Sequence, residues 1–138
     1  MGTMIRHEDW PQRLNTEIAA AAERRFRWGT FDCALWAADV VALLVGIDFA
    51  AEYRGHYASA LGSRRALARY GAGSLESTLA DKLGGSISPL LLQRGDLALL
   101  DGPHGATLGI CIGRQVLSPA AIGLGRTSLH NCRKGWRI

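Results

Sequence analysis

Apolar positions run almost without a break through residues 33–46, CALWAADVVALLVG, where Asp39 is the single charge. A helix that is apolar nearly all the way round belongs in the middle of a domain. It is too short to span a membrane, which takes ~20 apolar residues. Asp32 is placed to cap its first turn and Gly46 to end it. Ahead of it, Leu14, Ile18, Ala22 and Phe26 recur at four-residue spacing, which predicts an amphipathic helix over 11–26 with Pro11 at its start. Beyond it, residues 47–57 hold no period and predict an irregular connection. There Tyr53, Arg54, His56 and Tyr57 either cover a core edge or line a cleft. Two short helices follow, 63–70 capped by Ser63 and stopped by Gly71, and 74–83 capped by Ser74 and stopped by Gly84 and Gly85. From Ile87 the pattern changes to short apolar runs divided by glycine, proline and polar pairs: LLLQRGDLALL, ATLGICIG, QVLSPAAIGLG and GWRI. That pattern predicts consecutive antiparallel strands. Helices first and strands second give an α+β domain, with an N-terminal helix in 1–27, a core helix in 28–46, a helical insert in 47–86 and a sheet in 87–138.

Composition adds limits to this outline. A chain of 138 residues, 48% hydrophobic and 20% charged, is long enough to bury roughly two thirds of its surface as one domain. Its three cysteines, Cys33, Cys111 and Cys132, are far apart and form no CxxC pair, which argues against a disulfide framework or a structural zinc site and for a reducing compartment. The N-terminal stretch is polar and has no signal-peptide core; Met1–Thr3, ahead of Met4, are set aside as an alternative start or a cloning remnant. The net charge of +4 brings nucleic acid into question, but the arginines are scattered and form no basic stripe, so no nucleic-acid partner is expected.

Chemistry is concentrated at Cys33. In the first turn of a helix, free amides and the positive end of the helix dipole stabilise a thiolate and lower its pKa from ~8.5 towards neutrality. Cysteine is also a common small core residue, so both roles stay open at this point. Asp39, charged within an apolar helix, is expected to serve structure, either capping a neighbouring backbone segment or pairing with an arginine such as Arg54 or Arg94. His130 and Cys132 lack a ligand-spacing motif, and no metal or cofactor is expected. GLGRTS at 123–128 lacks the lysine of a phosphate loop and is expected to be a hairpin loop.

The order of these features resembles the NlpC-type peptidases, papain-like cysteine hydrolases of cell-wall peptide stems, and the small phage and prophage tail-assembly proteins that share their fold. The residues that carry it are Asp32-Cys33 with the following helix, Arg94-Gly95-Asp96-Leu97, and Leu108-Gly109-Ile110 with Gly113. WG-x-x-DC, the helical Ala38-Asp39, RG-x-Y, RGDLAL and a closing Trp136-Arg137 are most similar to a phage and prophage tail-associated branch of that superfamily. The likeness covers most of the chain from Phe26 onward and lies in the order and spacing of short motifs.

The resemblance implies a Cys-bearing helix packed on a small antiparallel sheet, with Cys33 as nucleophile and Asp32 beside it as an oxyanion or orienting residue. It also implies a histidine at the start of the second strand as base, and that position is Thr107, with the further polar position near Ser118 and Pro119. Threonine cannot act as a base near pH 7. His104, three residues earlier in a glycine-rich turn, is the candidate substitute, and a solvent-exposed loop histidine is the alternative. The expected function is a tail-tip or tail-assembly protein with a degenerate site; the alternative is an active cysteine endopeptidase or amidase that opens peptidoglycan. Partners would be tail-tip or hub proteins, held by the N-terminal helix and the insert, with peptidoglycan as a further one. The location would be the virion tail or the host cytoplasm during assembly.

Overall fold

The computed structural model describes residues 4–138; Met1–Thr3 lie outside it. Helix α1 spans Trp10–Ala20 and α2 spans Cys33–Val45. The insert carries α3, Ala60–Tyr70, and α4, Leu75–Leu83. Five strands follow: β1 Leu97–Gly102, β2 Gly105–Cys111, β3 Gln115–Pro119, β4 Leu124–Ser128 and β5 Cys132–Trp136. They form one sheet in the order β4-β3-β2-β1-β5, every neighbouring pair antiparallel. The architecture is α+β, with helices packed on an antiparallel sheet.

The all-round apolarity of α2 has a direct cause: the helix packs on three sides. Trp36, Ala37, Val40, Val41 and Leu44 meet Leu14 of α1 and the sheet residues Leu97, Leu99, Leu108, Ile110, Leu117 and Trp136 in the main core. Leu35 and Ala38 turn instead to Ala50, Tyr53 and Ala66 of the insert. Glu17 on α1 accepts a hydrogen bond from the Trp36 indole at 3.1 Å, so the largest core side chain has its polar atom satisfied. The other face of the sheet buries Ala98, Leu100, Cys111 and Val116 under Leu92 and Leu129. β1 is therefore covered on both faces, which explains its unbroken LALL run.

Three expectations change. The first helix stops at Ala20 rather than Phe26, because 24–26 is drawn beside the β3–β4 turn: Phe26 N–H donates to Ala121 O, and Gly123 N–H to Arg24 O. Tertiary pairing overrides the local period there. Helix α3 is capped by Ser59, whose hydroxyl accepts from Gly62 N–H at 3.0 Å, while Ser63 lies inside the helix and donates to Ala60 O. GLGRTS is strand β4 in its larger part, paired to β3 through Val116↔Thr127 and Leu117↔Arg126; as an edge strand with one wet face it lacks an apolar run. Asp39 behaves as expected and pairs with Arg54 at 2.7 Å, and Arg54 also bonds Asp48 at 2.8 Å. Burial raises the Asp39 carboxyl pKa, partly offset by Arg54, and the same guanidinium lowers that of Asp48. Arg94 bonds Asn15 instead.

The RGDL motif closes the fold. Asp96, 3% exposed, accepts from Arg6 Nη2 at 2.9 Å, from Gln93 N–H at 2.8 Å and from Ile138 N–H at 3.0 Å. Arg6 also donates to Arg94 O and Ile138 O and lies over the Trp10 ring. Gly95 adopts φ +94°, and a side chain there would enter the Arg6 guanidinium. The N-terminal segment, β1 and the C-terminus thus share one buried carboxylate.

Candidate active site

Asp32 builds the turn that delivers Cys33. Its Oδ1 accepts from Leu35 N–H at 2.9 Å, which caps α2. Its Oδ2 accepts from Gly29 N–H at 2.8 Å and from the Tyr57 hydroxyl at 2.6 Å. Gly29 has φ +84°, and a Cβ there would fall 2.1 Å from Tyr57 O, so this turn takes glycine alone. Asp32 therefore orients the turn; as a hydrogen-bond acceptor with both oxygens engaged, it does not hold an oxyanion.

Cys33 opens α2 at the floor of a cleft of about 800 Å³ between the insert and the ends of the strands. Phe26, Trp28, Tyr57, His104 and Thr107 line it as well. Burial, reinforced by the Asp32 charge, pushes the thiol pKa up to about 11, against the lowering effect of the Leu108, Ala34 and Cys33 amides. The expected shift towards neutrality is thus reversed, because desolvation of a thiolate outweighs one helix terminus when no cation neutralises it. Alkylation of Cys33 by iodoacetamide, followed on its own peptide by mass spectrometry, is expected to show a midpoint near 11; a midpoint at or below ~8.5 would contradict this account.

The other candidates share the cleft without forming a catalytic pair. Thr107 occupies the start of β2 and turns its hydroxyl to Gly105 O at 3.0 Å. His104, exposed in the β1–β2 turn, packs against Trp28 and Phe26 with ring centroids 5.4 and 5.8 Å away. Among the described residues no hydrogen bond joins it to Cys33. Ser118 and Pro119 lie on the far wall. Among the described residues no group of three His, Cys, Asp or Glu is placed to hold a metal, and His130 and Cys132 lie away from the cleft.

Tyr57 is the residue whose role the local pattern left undecided. It contacts Asp32 through its hydroxyl and stands beside Cys33; burial first, then the Asp32 carboxylate, drives its phenol well above its ordinary range. Its signal in the sequence is the RG-x-Y motif. Tyr53 lines the cleft too, whereas Arg54 serves Asp39 and His56 packs at a tilt against the Tyr70 ring.

The family model described as a domain of unknown function, DUF6950, matches residues 5–138. No curated protein matches the chain. Among solved structures, it is similar to RipD from Mycobacterium tuberculosis, described as a non-catalytic NlpC/p60 domain protein adapted to peptidoglycan binding. The two are 14% identical, with a TM-score of 0.47 over 96% of this chain and 98% of that one, a likeness too distant to assign a role.

Proposed function

The chain belongs to the DUF6950 family, and on that premise we propose that it is a non-catalytic NlpC-like module of a phage or prophage tail whose cleft binds a ligand without cleaving it. One observation carries the non-catalytic part: Thr107 stands where the base is expected, and among the described residues no imidazole is hydrogen-bonded to Cys33, whose thiol pKa burial pushes up to about 11. Nucleophilic catalysis by a cysteine needs the thiolate, and general-base assistance is worth about 10²–10⁴ in rate. At pH 7 the thiolate fraction is about one in ten thousand by that pKa. Thr107 stands at the strand position where the sequence resemblance asks for the base, and its hydroxyl is engaged with Gly105.

The NlpC-like fold and the tail role rest on the order of motifs from WG-x-x-DC to RGDLAL. The arrangement of a Cys-bearing helix on an antiparallel sheet supports the fold. In that role the protein works within the virion tail or the host cytoplasm during assembly, holding tail-tip or hub proteins through its N-terminal helix and insert.

A second reading is favoured by the presence of His104 in the same cleft as Cys33. An imidazole from the β1–β2 turn within hydrogen-bond reach of the thiol would restore a hydrolase. Incubation with purified peptidoglycan decides between the two. The expected result is no release of stem peptides by wild type above Cys33→Ser; release abolished by Cys33→Ser and by His104→Ala would establish the hydrolase.

A further inference from the structure

Part of the edge of β2 is open inside the cleft. Cys111 N–H donates to Asp96 O on the β1 side and Ile112 N–H to Gln115 O on the β3 side, at 2.8 and 2.9 Å. Peptide groups alternate along a strand, so those of Ile110, Leu108 and Ala106 also face the β3 side. Yet β3 pairs with β2 only at Ile110↔Leu117 and Cys111↔Val116 among the described residues. Its outer part pairs with β4 alone, at Ser118↔Gly125 and Pro119↔Leu124. The two strands diverge, and the cleft lies in the gap: Ala106 and Thr107 line it from one side, Ser118 and Pro119 from the other. The Leu108 amide faces the Cys33 thiol and lowers its pKa. Among the described residues β3 offers the Ala106 N–H and C=O no partner.

From this edge we infer that the cleft accepts an extended segment of a partner protein, which adds to β2 as a strand beside Ala106, with apolar side chains at alternate positions and a carboxylate near Arg64. The inference rests on the binding role proposed above and names the ligand of that site. An open strand edge is satisfied by another backbone, which supplies donors and acceptors at the strand spacing. The walls on either side are apolar, from Phe26 and Trp28 to Leu67 and Leu75. Arg64 lines the insert side, is exposed, and makes no ion pair among the described residues, which gives the segment a place for negative charge. A lipid chain would fill the same walls and leave the Ala106 peptide group unmatched.

The probe is a fluorescein-labelled peptide of seven residues, threonine and valine in alternation, ending in glutamate, added to the full chain and followed by anisotropy and amide exchange. Saturable binding with at least tenfold slower exchange at Ala106 is expected. Ala106→Pro removes the donor while sparing the β1 ladder, and is expected to weaken binding more than tenfold with an unchanged thermal transition. Arg64→Glu is expected to weaken the glutamate-ended peptide and to leave an uncharged form, ending in glutamine amide, unaffected. Absence of saturable binding, undiminished binding by Ala106→Pro, or equal displacement by free peptidoglycan stem peptides would each overturn the inference. Cleavage of the probe would defeat the non-catalytic role instead, and is read separately by mass spectrometry.

Discussion

Asp32→Ala is expected to lower the unfolding free energy by about 3–5 kcal/mol and to loosen the cleft wall that Tyr57 forms. Loss of the α2 cap accounts for about 1 kcal/mol. The remainder comes from the Gly29 amide and the Tyr57 hydroxyl, each left without its acceptor at about 1–2 kcal/mol. Asp32→Asn separates the two contributions. Its carbonyl oxygen still caps Leu35, but its amide group presents donors to the Gly29 N–H, so about half of the loss should remain. Tyr57→Phe removes one bond and should cost about 1 kcal/mol. Urea unfolding with an unchanged slope measures all three. A loss below 1 kcal/mol for Asp32→Ala would show that the three bonds do not act as a buried unit.

Asp96→Ala is expected to be comparably severe, about 3–5 kcal/mol, since it strands a largely buried guanidinium. The Arg6 and Asp96 side chains are 17% and 4% exposed, and the pair sits where the two ends of the described chain meet. Besides the ion pair, the substitution frees the Gln93 and Ile138 amides. The C-terminal residues should then become accessible to carboxypeptidase well before global unfolding. A double-mutant cycle with Arg6→Ala should return a coupling of at least about 2 kcal/mol, because each single change leaves the other partner buried and unpaired. Additive losses would mean that the termini are held by packing alone.

The helical part of the fold was legible wherever local chemistry sets it. Asp32 and Gly46 bound α2, Ser74 and Gly84 bound α4, and Gly71 stops α3, because capping depends on residues within one turn. Where a distant strand competes, the sequence misleads. The periodicity through Phe26 predicts helix, yet Phe26 bonds Ala121, almost a hundred positions on, and becomes part of the cleft. The strand content of 124–128 was hidden for a related reason, since an edge strand gains its stability from the ladder on one side and has little apolar pattern to show.

At the site, the sequence by itself determined which atoms are present: a cysteine at a helix start, no imidazole at position 107, and a histidine three residues away. Those are facts of residue type and spacing, and they already limit the chemistry. The tertiary structure decided what those atoms experience. The pKa of Cys33 depends on how much water the surrounding chain excludes and on the Leu108 amide arriving from β2, so burial reversed a shift that the helix terminus alone would have produced. The partnership of Asp32 with Tyr57, and the divergence of β2 from β3 that opens the cleft, likewise exist only once segments distant in sequence are brought together.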